Sequence, residues 1–267
     1  MRRAGALRAL IFDVDGTLAD TEEAHRQAFN HAFRLHGLDW YWSPRLYAEL
    51  LRSTGGKERL AGYIAGLALS EAERVRLLQA VAPIHRAKSE RYRELLARGH
   101  VRPRTGVARL MREARHAGVR LAIASTTSPQ DVTELLVNGF GREAPGWFSA
   151  IATGDVGPLR KPAPDTYLLA LGQLALAPEE AIALEDSAAG VRAARAAGLF
   201  TVGVASRWTR AEALGAADLA LSSLGDPGVP LPHADAARLG APFLTLEGLR
   251  ALHAAGAGCG QGIACSS

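Results

Sequence analysis

Two aspartates, Asp13 and Asp15, directly follow a short apolar segment near the start of the chain. Because they are two residues apart on extended backbone, both carboxylates can face the same side. One carboxylate can then attack a phosphorus atom while the other exchanges a proton with the leaving group. Attack by aspartate gives an acyl phosphate and divides one difficult hydrolysis into two easier steps. The pair therefore predicts phosphoryl-transfer chemistry.

Further candidates for the same chemistry follow later in the chain, at Ser125, Lys161, Glu185 and Asp186. The two acidic residues offer the hard oxygen atoms that Mg²⁺ takes as ligands. Lys161 and a bound cation would neutralise charge on the transferring phosphoryl group, and Ser125 would hold one of its oxygen atoms. Taken alone, Glu185 and Asp186 would more often be an acidic pair at a helix N-terminus. The set as a whole predicts a Mg²⁺-assisted phosphate site.

Short apolar segments of buried-strand type precede these residues. They lie at Leu7–Val14, Leu121–Ala124, Phe148–Thr153, Ala181–Leu184 and Thr201–Val204, and helical patterns separate them from Val101 onward. Such alternation predicts an α/β fold with a Rossmann-like, mostly parallel sheet flanked by helices. Ligands of open α/β sheets bind beyond the carboxyl ends of the strands. We therefore expect the candidate residues to converge at one sheet edge.

A helical segment interrupts the alternation. Thr21–His36 is amphipathic and stops at Gly37, and a capping box at Ser70 opens a helix to about Leu96 with a kink near Pro83. The final residues are rich in glycine and lack periodicity. We predict a catalytic core of residues 1–19 and 101–255, an inserted small α-helical cap of residues 20–100, and a loose tail of residues 256–267.

The candidate residues form four ordered motifs. These are Asp13-Val14-Asp15-Gly16-Thr17-Leu18, Ser125 after an apolar strand, Lys161-Pro162, and Glu185-Asp186-Ser187. Together they resemble the four motifs of the haloacid dehalogenase superfamily, and the resemblance extends from Leu7 to about Asp226. It implies a Rossmann-like core with a small helical cap, as the apolar pattern predicts independently.

Other segments narrow the resemblance. Asp39-Trp40-Tyr41-Trp42, Thr54-Gly55-Gly56-Lys57-Glu58-Arg59, His85-x-x-Lys88 and Leu224-Gly225-Asp226-Pro227-Gly228 are similar to CbbY proteins. That family dephosphorylates xylulose 1,5-bisphosphate, an inhibitor of Rubisco. The resemblance therefore implies a Mg²⁺-dependent hydrolase whose partner is a small phosphorylated sugar.

The resemblance also implies roles for individual residues. Asp13 would be the nucleophile and Asp15 the acid/base, with Lys161 completing the catalytic group. Mg²⁺ would be held by Asp13, by Asp15 through its carbonyl and by Asp186, with assistance from Glu185. The substrate would contact Glu22, His25, Tyr47, Gly55, Gly56, Lys57, Glu58, Arg59, His85, Lys88, Ser125, Thr126 and Thr127.

Three alternative functions stay open, the first being a phosphatase of another small phosphorylated metabolite. A phosphomutase would return the phosphate from aspartate to the sugar, but its loop resembles K-G-x-S-R, unlike Gly55–Arg59 here. A catalytically silent metabolite-binding module would keep the fold, and the intact motifs count against it. A nucleotide loop does not fit, because Leu51 occupies the first glycine position of that pattern and Glu58 its Ser/Thr position.

Charge and composition limit the partners. The chain has 31 basic and 27 acidic residues, and residues 20–100 hold 13 of the basic against 10 of the acidic ones. Most of the net charge of +4 thus lies in the predicted cap, where a second phosphate would need it. No basic run indicates nucleic acid, and no apolar segment approaches a membrane span. The only cysteines, Cys259 and Cys265, lie in the last ten residues, which excludes a disulfide framework, a zinc site and a catalytic thiol in the body of the chain. We expect a cytoplasmic protein and, as a separate expectation, a monomer.

Overall fold

The fold is built on one six-stranded parallel sheet. The computed structural model describes residues 6–53, 55–153, 159–210, 212 and 214–259. Within them the strands are β1 (Ala9–Phe12), β2 (Arg120–Ser125), β3 (Phe148–Thr153), β4 (Ala181–Glu185), β5 (Phe200–Val204) and β6 (Leu219–Leu221). The strands lie in the order β3-β2-β1-β4-β5-β6, and all neighbours are parallel. The predicted α/β fold is confirmed, and β6 is a strand that the apolar pattern did not reveal.

Both faces of the sheet are covered by helices. One face packs large residues such as Leu10, Phe12 and Leu184 against α6 (Val107–His116), α7 (Pro129–Phe140) and α11 (Leu246–Cys259). The other face is lined largely by alanines from β1, β2, β3 and β4. These small side chains let α8 (Asp165–Leu174) and α9 (Ala188–Ala196) pack close to the sheet. The strands are therefore apolar at successive positions, as expected for parallel strands buried on both faces.

Local signals in the sequence set several helix ends of the core. Ser128 caps α7, its Oγ accepting the N–H of Asp131, and Pro129 is the first helical residue. Ser187 caps α9 in the same way through the N–H of Gly190. These caps fix where the chain turns at the carboxyl edge of the sheet, next to the candidate residues.

A helical insert lies between β1 and α6. It contains α1 (Glu22–Leu35), α2 (Pro44–Leu50), α3 (Gly56–Ala65), α4 (Glu71–Gln79) and α5 (Val81–Ala97), and no strand forms in residues 20–53 or 55–100. The insert has its own apolar cluster, in which Phe29 and Phe33 of α1 pack against the buried Trp42. It thus has the elements expected of a small α-helical cap.

Two boundaries differ from the prediction. The capping box at Ser70 is present, but the helix that it opens ends at Gln79 and α5 starts after Ala80, so the interruption precedes Pro83. Helix α11 continues to Cys259, so four residues of the predicted loose tail are helical, and residues 260–267 lie outside the described chain.

No helix in the described residues is long and apolar enough to cross a membrane. A further helix, α10 (His233–Leu239), precedes α11.

Candidate functional site

The acidic residues meet at the carboxyl edge of the sheet because β1 lies between β2 and β4. Asp13 follows β1 directly, and its N–H donates to the carbonyl of Leu184 in β4 at 3.0 Å. Glu185 is the last residue of β4 and Asp186 follows it. All three side chains are buried, and Glu185 has no exposed surface. The predicted convergence at one edge is therefore present in the structure.

Lys161 joins two of these strand ends. Its Nζ donates to Asp13 Oδ1 at 2.6 Å, to Glu185 Oε1 at 2.5 Å and to the carbonyl of Ala124 at 2.9 Å. Burial alone would lower the pKa of Lys161, but the two carboxylates outweigh it and raise the pKa above the usual value. The lysine is therefore held as a cation that fixes the orientation of Asp13 and Glu185.

The site carries more negative than positive charge. One oxygen atom from each of Asp13, Glu185 and Asp186 lies within 4.8 Å of the other two. Burial raises the pKa of Asp13 even against the opposing charge of Lys161. Burial and the charges of Asp13 and Glu185 also raise the pKa of Asp186 well above its usual value. Three buried carboxylates share one ammonium, so a further bound cation would reduce the electrostatic repulsion among them.

The donor set fits Mg²⁺. The three side chains supply hard carboxylate oxygen atoms, the ligand type that this ion prefers. Glu185 Oε1 accepts from Lys161 and from the hydroxyl of Tyr167 at 2.6 Å, whereas Oε2 is buried without a hydrogen-bond partner in the described part of the chain.

Gly16 lies against Asp186 so closely that any Cβ there would overlap the carboxylate. Asp186 therefore packs against the turn that follows Asp13.

Asp15 lies in a different environment from Asp13. Its Oδ1 accepts from Thr21 Oγ1 at 2.6 Å and from His25 Nε2 at 3.0 Å, and its Oδ2 accepts from the hydroxyl of Thr127. Burial would raise the pKa of Asp15, but His25 and the hydroxyl donors hold it below the usual range. The ring of His25 stacks on Tyr92 at 3.9 Å. Asp15 is thus an oriented, ionised carboxylate outside the three-carboxylate group.

A cavity of about 450 Å³ lies between the insert and the sheet edge. Its lining includes most of the residues that were predicted from the sequence, namely Asp13, Asp15, Glu22, His25, Gly55, Gly56, Lys57, Arg59, His85, Lys88, Thr126, Thr127, Lys161 and Asp186. The carboxylates and Lys161 line its sheet side, and basic residues of α3 and α5 line its insert side. The structure therefore brings the two predicted groups together in one cavity.

The insert side of the cavity is positively charged, and hydrogen bonds within the protein hold its side chains in place. The Arg59 guanidinium donates to the hydroxyl of Tyr47 at 3.2 Å and to the carbonyls of Leu50 and Ser53. The Tyr47 hydroxyl in turn donates to Glu22 at 2.6 Å. These bonds hold Glu22 and Arg59 in fixed orientations on the cavity wall.

Two residues of α5 add contrasting groups. Burial, together with Lys88 and Lys57, lowers the pKa of His85 to about 3, so its imidazole is neutral at pH 7. Lys88 is buried with its Nζ 5.1 Å from the ring centroid of Tyr92 and 5.4 Å from that of Phe29. Burial lowers the pKa of Lys88 to about 8, so it stays charged near neutral pH. The pair offers one hydrogen-bonding group and one cation.

Four predicted residues lie outside the lining. Ser125 is buried and its Oγ accepts the N–H of Thr127 at 3.1 Å, so Thr126 and Thr127 reach the cavity in its place. Tyr47 and Glu185 lie behind the wall and hold lining residues. Glu58 forms an ion pair with Arg160 at 3.2 Å instead of facing the cavity. Thr54, quoted in the CbbY resemblance, lies outside the described residues.

The cavity lining also includes residues that no sequence motif indicated. Arg160 precedes Lys161, and Arg93 follows His85 at eight residues on the same helix, a spacing that could have indicated it. Arg93 donates to the buried Asp131 of α7 at 3.0 Å. Thr209 carries no such signal, because it lies in a turn after β5. Contacts between the insert and the core account for most of these omissions.

The geometry agrees with a family assignment from comparison with known proteins. A family model described as a haloacid dehalogenase-like hydrolase matches residues 7–198. The chain belongs to this family. It is a hydrolase acting on phosphoric monoesters, a phosphatase, and the ordered motifs around Asp13, Lys161 and Asp186 all lie within the matched region.

Individual members of the haloacid dehalogenase-like family are similar over most of the chain. Protein CbbY of Rhodobacter capsulatus is 48% identical over 218 residues, covering 82% of this chain and 94% of that protein. A crystal structure of CbbY from Rhodobacter sphaeroides in complex with phosphate is 45% identical with a TM-score of 0.74, covering 81% of this chain and 94% of that one. A mutant of the same protein in complex with xylulose-(1,5)bisphosphate has a TM-score of 0.76 at 45% identity, covering 83% and 98%.

Proposed function

We propose that the protein is a Mg²⁺-dependent phosphatase of a sugar bisphosphate, converting xylulose 1,5-bisphosphate to xylulose 5-phosphate. The observation that carries the proposal is a cavity that has Asp13, Lys161 and Asp186 on one side and cationic residues on the other. A bisphosphate has two anionic ends, and we infer that the sheet side of the cavity takes one phosphate and the cationic residues of the insert take the other. The similar CbbY that was crystallised with xylulose-(1,5)bisphosphate supports the choice of sugar.

In the first step, Asp13 attacks the phosphorus atom at the sheet end of the cavity. A bond forms between a carboxylate oxygen and phosphorus, and the bond from phosphorus to the sugar oxygen breaks. Lys161 orients the nucleophile through its 2.6 Å bond to Oδ1 and offsets developing negative charge. The product is an aspartyl phosphate and a sugar alkoxide that must take up a proton.

Asp15 carries out the proton transfer in both steps. As the acid, it protonates the departing sugar oxygen, and as the base it removes a proton from the water that attacks the aspartyl phosphate. The bonds from Thr21, His25 and Thr127 favour its ionised form. Asp15 therefore matches the base role directly, and the acid role requires protonated Asp15, which takes its proton from solvent in the first turnover and from the attacking water thereafter. Hydrolysis then releases inorganic phosphate and regenerates Asp13.

Asp13, Asp186 and the carbonyl of Asp15 would hold Mg²⁺, with Glu185 next to them. When bound, the ion supplies positive charge that stabilises the phosphoryl oxygen atoms during transfer. The fit rests on the three-carboxylate group and on Glu185 Oε2, for which the described residues provide no hydrogen-bond partner. Of these residues, Glu185 acts mainly by holding Lys161.

The insert would bind the sugar and its distal phosphate. Lys57 and Lys88 supply positive charge, and neutral His85 supplies a hydrogen bond. Glu22 is held by Tyr47 at 2.6 Å and offers a fixed acceptor for a sugar hydroxyl. Binding energy from this end positions the other phosphate for attack by Asp13.

The test is phosphate release from xylulose 1,5-bisphosphate by the wild type and by Asp13→Asn. We expect the variant to lose activity by about 10⁴-fold or more, because the amide cannot act as the nucleophile. Its unfolding temperature should equal or exceed that of the wild type, since one buried charge is removed. Asp39→Asn, at an exposed aspartate, is the matched control and should retain full activity.

Two further measurements separate the alternatives. Chelation of divalent cations should abolish phosphate release, and added Mg²⁺ should restore it. A nuclear magnetic resonance assay with β-glucose 1-phosphate should show no isomerised product. Isomerised sugar without free phosphate would establish a phosphomutase instead.

A further inference from the structure

The turn after β5 has an internal hydrogen-bond network that ends at Asp186. Ser206 Oγ accepts the N–H groups of Trp208 at 3.3 Å and Thr209 at 3.2 Å, so its own proton is free to be donated to Thr209 Oγ1 at 2.9 Å. Thr209 Oγ1 also accepts the N–H of Ser206 at 2.9 Å. The proton of Thr209 is then directed to Asp186 Oδ2 at 3.1 Å.

Burial makes this network rigid. Ser206 and Thr209 are both buried, as is Asp186. Of the two hydroxyl groups, that of Thr209 is directed at the carboxylate of Asp186, and that of Ser206 is directed at Thr209. Groups that hold a candidate metal ligand in this way fix its orientation and its readiness to bind a cation.

Trp208, between these two hydroxyl residues, faces the helical insert. Its ring meets Tyr47 edge-on, with centroids 5.4 Å apart and an interplanar angle of 83°. Trp208 also packs on the apolar cluster of the insert, although it belongs to the sheet-bearing core. Tyr47 is fully buried and holds both Glu22 and Arg59. A core residue therefore supports the substrate side of the cavity.

We propose that Trp208 and Thr209 are paired positioning residues. Thr209 orients Asp186 at the metal end of the cavity. Trp208 supports Tyr47, and through it Glu22 and Arg59, at the substrate end. The proposal rests on the phosphatase function argued above. Because the two residues are adjacent in one turn, they set the distance between the two ends. A bisphosphate of the right length is recognised only when both ends are held in register.

The Thr209 half is tested without substrate, by titrating Mg²⁺ into the free enzyme and following the unfolding temperature. Thr209→Val keeps the shape but removes the hydroxyl, and we expect half-maximal stabilisation to need about 10- to 100-fold more Mg²⁺. Thr209→Ser should remain close to the wild type. Thr133→Val, at an exposed threonine of α7, is the matched control. A wild-type Mg²⁺ dependence in Thr209→Val would overturn this half.

The Trp208 half is tested by kinetics at saturating Mg²⁺. Trp208→Leu should raise the KM for xylulose 1,5-bisphosphate by about 3- to 10-fold, from loss of the aromatic contact, with kcat changed by less than about 2-fold. Trp208→Phe keeps an aromatic ring, so its KM should lie close to the wild-type value. Trp147→Leu, at another half-buried tryptophan of the core, should leave KM unchanged.

The outcomes separate this proposal from the function on which it rests. An unchanged KM in Trp208→Leu, or a fall in kcat alone, would overturn the role of Trp208. If the wild type released no phosphate from the bisphosphate, the proposed function would fail, while the Mg²⁺ titration of Thr209→Val would still decide the role of Thr209.

Discussion

Gly190 of α9 lies directly against the carboxylate of Glu185, so closely that a Cβ at residue 190 would overlap both carboxylate oxygen atoms. Glu185 cannot move aside easily, because Lys161 and Tyr167 hold its Oε1 and it has no exposed surface. The glycine is therefore required by close approach of the helix to the strand end. The helix in turn closes the site from one side.

Gly190→Ala should destabilise the protein, although alanine is ordinarily favoured over glycine in a helix by about 0.5–1 kcal/mol. We expect a loss of about 1–3 kcal/mol, because the added methyl group displaces a buried, hydrogen-bonded carboxylate. Denaturant titration of the wild type and the variant gives this loss as the difference in their free energies of unfolding. Gly62→Ala is the matched control, since residue 62 lies inside α3 with nothing within 4 Å of an added Cβ. The control should gain stability, and a gain in both variants would contradict the argument.

Lys161→Met should be more damaging still. Without the ammonium, Asp13, Glu185 and Asp186 remain as three buried carboxylates that have lost the cation paired with two of them. Removing one partner of a buried ion pair costs about 3–5 kcal/mol. Unfolding measured without and with Mg²⁺ should show the larger stabilisation by Mg²⁺ in the variant. Lys57→Met, at an exposed lysine, should change stability by less than about 0.5 kcal/mol. A loss below 1 kcal/mol in Lys161→Met would contradict this balance of charges.

The sequence predicted the sheet edge well because its signals are local. Asp13 and Glu185 follow apolar strands, and Ser128 with Pro129 marks the start of a helix without reference to the rest of the chain. Parallel pairing then brings the strand ends together whatever the side chains are. For this reason the core of the candidate site could be inferred from spacing alone.

Contacts between distant elements could not be inferred in this way. Trp208 reaches Tyr47 across 161 positions of chain, and Arg93 reaches Asp131 from another helix. Such contacts depend on how the insert packs on the core, which periodicity does not encode. The strand β6 was missed for a related reason, since three residues are too few to show alternation.

Lys88 should give the enzyme a basic pH limit for substrate binding. Burial lowers its pKa to about 8, and the carboxylates of Asp131 and Asp15 keep it from falling further. Above pH 8 the free enzyme loses this cation, so KM for the bisphosphate should rise, by up to about 10-fold per pH unit. Lys88→Arg stays charged, and its KM should be flat from pH 7 to about 9.5. An equal rise in both enzymes would assign the pH limit to another group.

The same residue should affect stability with the opposite trend in pH. Because the pKa of Lys88 falls from its usual 10.5 to about 8 on folding, the unfolded chain binds more protons between these values. The contribution of Lys88 to stability therefore becomes more favourable as pH rises from about 8 to 10.5. The difference in unfolding free energy between the wild type and Lys88→Met, measured across this range, isolates that contribution. A difference that does not vary with pH would contradict the lowered pKa.

Glu58 and Lys57 are neighbours in the sequence with different expected roles. Lys57 lines the cavity, whereas Glu58 pairs with Arg160 at 3.2 Å, and its side chain is 45% exposed. An exposed pair of this kind contributes less than about 1 kcal/mol. We expect Glu58→Gln to keep KM within about 2-fold of the wild type, and Lys57→Gln to raise it about 10-fold or more, because a phosphate loses a cationic partner. A 10-fold rise in KM for Glu58→Gln would instead support the substrate contact that the sequence resemblance implied.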